Sequence, residues 1–280
     1  MLTYLIKFIR KIIVITIRAL SGTILGKLIG ETIIADVMQS EKSVIHNDIK
    51  MTFTVPNQLN HFRVDTFSEK EPETLEWIDS TPHNSTLWDI GANIGLYSIY
   101  AAKAKNFRVI AFEPSVFNLE LLARNIFLND LQDQITIIPV ALSDKMGSNR
   151  MRLTTTEWGG ALSTFGKNVG WDGKRIKDNF SFSTFGCSMD EAVSTLNLPQ
   201  PDYIKMDVDG NEHFILLGGP LTLSKIQGIL VEINDDFIEQ ADQSRKLLEA
   251  SGLTLMEKGH SEMFEGTKFQ NIYNQIWKRK

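Results

Sequence analysis

Trp88-Asp89-Ile90-Gly91-Ala92-Asn93-Ile94-Gly95, continued by Val109-Ile110-Ala111-Phe112-Glu113-Pro114, decides how this chain folds. Residues 87–90 read as a short buried strand. Gly91 and Gly95 then let the backbone turn sharply into a helix that begins near Leu96. Eighteen residues after Gly95 a second apolar strand ends in a carboxylate, Glu113. A strand, a glycine turn at a helix N-terminus and a second strand ending in an acid together form the grip of an α/β sheet on a nucleoside. The turn holds the polar tail, and the acid accepts both ribose hydroxyls.

The glycine spacing narrows the ligand. A dinucleotide site needs G-x-G-x-x-G, whose middle glycine lets the backbone approach a pyrophosphate. Here Asn93 fills that place and the pattern is D-x-G-x-x-x-G, which suits a nucleoside without phosphate. S-adenosylmethionine is the expected cofactor. Two glycines alone would fit a plain strand-to-helix turn equally well; Asp89 before them and Glu113 after them favour the cofactor.

From Leu87 onward, strands are expected at 87–90, 108–113, 135–140, 202–207 and 228–234, with helices at 96–104, 116–128, 211–218 and 236–251. Such alternation predicts a parallel sheet covered on both faces. Two last strands, 253–258 and 271–277, follow one another without a helix and predict a closing antiparallel hairpin. Upstream, Lys50–Val55 alternates like an edge strand stopped by Pro56, and residues 68–79 look like a helix entered through Pro72. The stretch from Gly147 to Phe185 breaks the rhythm. It carries Gly159, Gly160, Gly166, Gly170 and Gly173 with Trp158 and Trp171, and is expected to cover the substrate or to form a plain surface hairpin.

Composition, 42% apolar and 22% charged over 280 residues, is that of a globular protein with an ample core. A single cysteine, Cys187, excludes an internal disulfide and a multi-cysteine zinc site, and fits a reducing cytoplasm. Residues 1–30 hold Lys7, Arg10, Lys11, Arg18 and Lys27 and no acid, so the remaining chain carries −10 of the net −5. An acidic body argues against nucleic acid as a partner. The apolar run Ile12–Ile17 is far short of the roughly 20 residues that span a bilayer. On a helical wheel Thr3, Lys7, Arg10, Lys11, Arg18 and Ser21 fall within about 100° of one another, interrupted only by Val14. A basic stripe on an apolar helix lies flat on an anionic membrane, or packs on its own domain or a partner subunit. Arg18 and the missing cleavage site argue against a signal peptide.

With these features in place, the chain resembles the class I S-adenosylmethionine-dependent methyltransferases, and most of all their FkbM branch. The resemblance rests on Asp89–Gly95, on Phe112-Glu-Pro-Ser115 followed by Asn118, and on Ala141-Leu-Ser-Asp144. It is completed by Ser188-Met-Asp190 and by Tyr203-Ile-Lys-Met-Asp-Val-Asp-Gly-Asn-Glu212. It covers about residues 62–234 in the family's order and leaves out the first 60. Where the family commonly has Asp-Val-Glu-Gly-x-Glu, this chain has Asp207-Val-Asp-Gly-Asn-Glu212, with one carboxylate shortened. The resemblance implies a doubly wound, mostly parallel seven-stranded sheet over 81–280, preceded by an extension at 31–80 and the helix at 1–30. It also implies methylation of a hydroxyl on a sugar, glycan or polar secondary metabolite.

Methyl transfer from a sulfonium requires alignment of acceptor and methyl and, for a hydroxyl acceptor, removal of its proton. Asp89, Gly91, Asn93 and Gly95 are expected at the methionine end of the cofactor, Glu113 on the ribose with Asn118 nearby, and Ser143 and Asp144 against the adenine. Asp144 has a turn cap as its alternative role. Asp207, Asp209, Glu212 and His213 form the candidate catalytic cluster at the carboxyl end of the fourth strand. Crowded carboxylates raise one another's pKa. Alternatively Asp209 and Asn211 cap the following helix and His213 is a structural histidine. Three oxygens at this spacing could hold Mg²⁺, but no tightly held metal is expected. Glu232 is a further acid that could face the acceptor. A nicotinamide-dependent oxidoreductase would use a similar sheet, but Asn93 and the lack of a hydride site disfavour it. A non-catalytic membrane-associated binding protein on the same fold is the remaining alternative, and oligomeric state is left open, a homo-oligomer included.

Overall fold

A computed structural model describes residues 2–280, with side chains from Tyr4 onward. Its centre is a seven-stranded sheet whose strands are numbered here β1 (Thr86–Ile90), β2 (Arg108–Phe112), β3 (Ile135–Ile138), β4 (Tyr203–Met206), β5 (Gly228–Asn234), β6 (Leu253–Gly259) and β7 (Ile272–Arg279). Their spatial order is β6-β7-β5-β4-β1-β2-β3. β1 to β5 are parallel, and β7 runs antiparallel between β5 and β6, so the expected closing hairpin is present.

The near-continuous apolar strands are explained by burial on both faces. Leu87, Val109 and Ala111 point into a core shared with the helices Pro72–Ser80, Leu96–Lys105 and Val116–Leu128. Trp88, Ile90, Ile110 and Phe112 point the other way, toward Met189, Ile215, Leu216 and Leu248 of the helices covering the second face. Strand order reverses between β1 and β4, which is where a crevice opens beyond the carboxyl ends of such strands. The irregular 147–186 stretch forms much of a second, four-stranded sheet of Ala141–Leu142, Gly147–Leu153, Thr164–Phe165 and Phe180–Cys187.

Upstream, Glu41–His46 and Ile49–Thr54 pair through Asn47 and Asp48, both at positive φ, as a two-residue hairpin turn requires. The hairpin is stitched to helix Val116–Leu128 and its cap, since Asn125 Oδ1 accepts from Thr54 N at 2.7 Å and Asn129 Oδ1 from Thr52 N at 3.1 Å. The single helix expected over 1–30 is divided. Leu2–Leu20 ends at a turn, and Thr23 caps a second helix, Ile24–Met38, by accepting from Gly26 N at 2.9 Å. That second helix reaches into the extension expected at 31–80. No described side chain between Tyr4 and Met38 is buried. No described helix is long and apolar enough to cross a membrane.

Candidate active site

At the end of β1 the backbone must turn in very little space. Gly91 sits at φ 84°, and a Cβ there would lie 1.9 Å from the Asp207 carbonyl at the end of β4. Glycine is therefore required by both torsion and contact. Gly95, at φ 87°, serves a different purpose, because its missing Cβ makes room for Leu122 of the neighbouring helix.

Two cavities adjoin at this point. A small one of about 70 Å³ runs along β2 and is lined by Phe112, Glu113, Asn118, Leu142 and Phe165. A large one of about 500 Å³ is lined by Phe67, Glu71, Tyr97, Lys205, Glu232 and Phe264 among others. Gly91, Asn93, Ala161, Asp207 and Asp209 line both. Asp207 and Asp209 of the acidic turn thus stand at the junction.

Glu113 occupies the place expected of a ribose-binding acid. Its Oε2 accepts from Asn93 N at 2.8 Å and its Oε1 from Ser115 N at 2.7 Å. Burial pushes its carboxyl up to about 7, with the two backbone amides pulling the other way. Asn118 binds the covering segment instead, donating to Gly160 O at 3.1 Å and accepting from Gly159 N at 3.1 Å. Asn93 Nδ2 also donates to Gly160 O, at 2.9 Å, while its Oδ1 is buried without a partner. Asn93 lines both cavities, and an unpartnered acceptor on it, beside a glycine turn at close approach, fits an incoming group with N–H or O–H donors.

Asp89 does not line either cavity. It is buried beneath the turn, accepts from Ser98 Oγ at 2.6 Å and lies 3.9 Å from Lys205 Nζ, so it braces the turn from below. Ser143 donates to Asp144 at 3.1 Å, and neither reaches the small cavity, whose wall there is Ala141 and Leu142.

The acidic turn separates its members. Asp207 Oδ2 lies 3.4 Å from Lys205 Nζ. Asp209, at φ 59°, accepts from Leu162 N at 2.6 Å and Ser163 N at 3.3 Å. Burial and the charge of Asp207 raise its carboxyl to about 6. Glu212 is a correction: it faces inward, where it accepts from Val208 N at 3.0 Å, Gly210 N at 3.1 Å and the Gln240 amide. It brackets the turn and touches neither cavity. His213 is a second correction. It packs 3.9 Å from the Phe214 ring, both its ring nitrogens lack partners, and burial lowers it to about 4, so it is a neutral core residue. Because Glu212 is consumed by the turn, the three-oxygen arrangement suited to Mg²⁺ does not form. Among the described residues no group of three His, Cys, Asp or Glu is placed to hold a metal.

Further charged residues line the large cavity. Lys205, 3% exposed, is surrounded by Asp207, Asp89, Glu71 and Glu232; burial would lower it, but those acids hold it above the usual lysine range. A lysine inside a strand that is otherwise apolar was the available clue. Glu71, from the extension, is 3% exposed; burial opposes its ionisation, yet Lys70 at 2.5 Å and Lys205 hold it at about 2. Glu232 does line the large cavity, and burial together with Asp207 and Glu71 pushes it well above the carboxylate range. The covering segment is itself tied down: Asn57 and Asn60 donate to Trp158 O at 3.0 and 2.9 Å, and Arg63 Nη2 to Gly159 O at 2.7 Å.

The pattern of residues 89–264 matches the methyltransferase FkbM domain, over more than half of the chain. The chain belongs to the FkbM methyltransferase family. As such it is an S-adenosylmethionine-dependent methyltransferase of the class I fold. Hexuronic acid methyltransferase AglP of Haloferax volcanii is 24% identical over 209 residues, 74% of this chain and 79% of AglP. The AMB antimetabolite synthetase AmbE of Pseudomonas aeruginosa is 26% identical over 230 residues, covering 69% of this chain but only 10% of that much longer protein. Among solved structures, precorrin-6y C5,15-methyltransferase of Geobacter metallireducens superposes with a TM-score of 0.44 at 15% identity, over 75% of this chain and 86% of that one.

Proposed function

We propose that this FkbM methyltransferase methylates oxygen, namely a hydroxyl on a sugar, glycan or other polar small molecule. The observation that carries this reading is Asp207, which lines both the small cavity beside Glu113 and the large cavity adjoining it. A carboxylate at that junction reaches cofactor and acceptor alike. Glu113 would take the ribose hydroxyls, Asn93 and the turn at Gly91 the amino-acid tail, and Asp207 the proton of the acceptor hydroxyl. When bound, the cofactor supplies an electrophilic methyl group on a sulfonium. The remaining work belongs to the chain: Lys205 fixes Asp207 from one side, and the segment tied by Asn60, Arg63 and Asn118 excludes water from above. A sugar acceptor also accords with the hexuronic acid named for the Haloferax relative.

The test is a panel of hydroxyl acceptors assayed with Asp207→Asn. We expect S-adenosylmethionine affinity within a few-fold of the parent and methyl transfer reduced by about 10²–10⁴-fold, the range of general-base contributions. Turnover within a factor of two of the parent would remove Asp207 from the mechanism. The cationic helix within residues 1–30 docks the enzyme peripherally on the anionic cytoplasmic face of a membrane in this reading. Its support is charge complementarity and the exposure of the helix's apolar faces.

A further inference from the structure

We infer that the large cavity takes an amphiphilic acceptor, one whose uncharged, hydroxyl-bearing head meets the acids at the floor while an apolar tail lies along the aromatic wall and leaves over an apolar rim. The inference rests on the methyltransferase reading and names its substrate class. At the floor are Glu71 and Lys205, each 3% exposed, with Asp207 and Glu232 beside them. Aromatic rings line the cavity both beside these groups, at the buried Phe67 and Tyr97, and at half-buried positions, where the Trp171 and Phe269 rings lie 4.9 Å apart. At the mouth stand Phe62 and Met263, which line the cavity although 48% and 42% of their surfaces are exposed. Large exposed apolar side chains at the entrance of a mostly apolar cavity mark a path for apolar ligand surface.

The charge at the floor restricts the head. Glu71 and Asp207 already engage the ammoniums of Lys70 and Lys205, so neither is left over to pair with an acidic head. A carboxylate or phosphate placed there would meet like charge in a poorly solvated space. A neutral polyol can instead donate to the carboxylates and accept from Lys205. A wholly polar sugar would leave the aromatic lining of a 500 Å³ cavity without an apolar partner. An amphiphile satisfies acids and rings alike, and a chain that docks on a bilayer would meet such molecules there.

The experiment uses the full chain loaded with S-adenosylhomocysteine and three probes in calorimetry, each below its micelle-forming concentration. They are n-octyl β-D-glucopyranoside, methyl β-D-glucopyranoside and n-octyl β-D-glucuronide. Octyl glucoside should bind at least tenfold more tightly than methyl glucoside, the worth of about two buried methylenes. The glucuronide should bind at least fivefold more weakly than octyl glucoside. Phe62→Glu and Met263→Glu, both at exposed positions, should each remove most of the octyl preference while S-adenosylhomocysteine still binds. Reversal of Lys7, Arg10, Lys11 and Arg18 to Glu should leave it intact, which separates the cavity from the helical arm. Equal affinity for the two neutral glucosides, including no binding of either, overturns the inference, as does an octyl preference that survives both rim variants. A glucuronide bound as tightly as octyl glucoside overturns the uncharged head. Failure of S-adenosylhomocysteine to bind at all would instead strike the functional reading beneath it.

Discussion

Glu113 shows how one residue's environment sets a measurable property. Its carboxyl is raised to about 7 chiefly by burial, while ribose hydroxyls would donate to the ionised form. Binding therefore favours ionisation and releases a proton. S-adenosylhomocysteine affinity should rise as pH goes from about 6 to 8, and calorimetry in buffers of different ionisation enthalpy should register proton release near pH 7. Glu113→Gln should flatten this dependence; proton uptake on binding would contradict the assignment. Glu113→Ala should weaken binding by about 1.5–3 kcal/mol, the scale of hydrogen bonds to a charged group. The same raised value bears on stability, with the sign fixed by the folded state holding its proton more tightly than the unfolded chain. Its contribution is greatest below the ordinary carboxylate pKa of 4.5 and declines as pH rises toward 7.

Between secondary-structure elements, the tightest constraint is the crossing of the β1 turn over the end of β4. Gly91→Ala would place a methyl group 1.9 Å from the Asp207 carbonyl at a torsion that L residues avoid. Displacement of the acidic turn, loss of cofactor binding and destabilisation by more than about 2 kcal/mol are expected, read as a lower Tm and absent calorimetric heat. A variant with parental Tm and affinity would show that the two loops are not in contact. The covering segment is the second such case. Arg63→Ala removes two donors to Gly159 O, at 3.0 and 2.7 Å, and so should increase proteolytic cleavage within 155–163. Bound S-adenosylhomocysteine should reverse that increase.

For the molecule as a whole, the arm of helices Leu2–Leu20 and Ile24–Met38 stands apart. Tyr4, Leu5, Phe8, Ile12, Ile13, Ile24, Leu25 and Ile34 are all more than two-fifths exposed, a concentration of apolar surface unlike the body's. The full chain should sediment with vesicles containing anionic lipid and remain in solution with neutral ones. Each Lys or Arg near such a surface contributes about 1 kcal/mol, so raised salt should weaken the association without abolishing it. Reversal of Lys7, Arg10, Lys11 and Arg18 to Glu should release the protein; if it instead dissociates a dimer in sedimentation, the arm is a subunit interface.

What the sequence determined by itself was the sheet and the cofactor, because both depend on neighbours along the chain. The apolar strand 87–90, the glycines at 91 and 95 and the acid at 113 lie within one β-turn-α-β unit, where local torsion and spacing dictate geometry. The closing hairpin was legible for the same reason. Which acids face the site was not. Asp207, Asp209 and Glu212 look alike in sequence, yet the backbone amides at Val208 and Gly210 and the Gln240 side chain capture Glu212 and turn it inward. His213 is likewise decided by the packing of Phe214 and Phe237 around it. Arg63, Glu71 and Phe62, far upstream of the glycine turn, reach the large cavity only because the hairpin at 41–54 packs on the helices Leu96–Lys105 and Val116–Leu128 and holds the helix at 58–65 beside it. Such contacts between residues distant in sequence arise from burial and side-chain satisfaction in three dimensions, and no linear pattern encodes them.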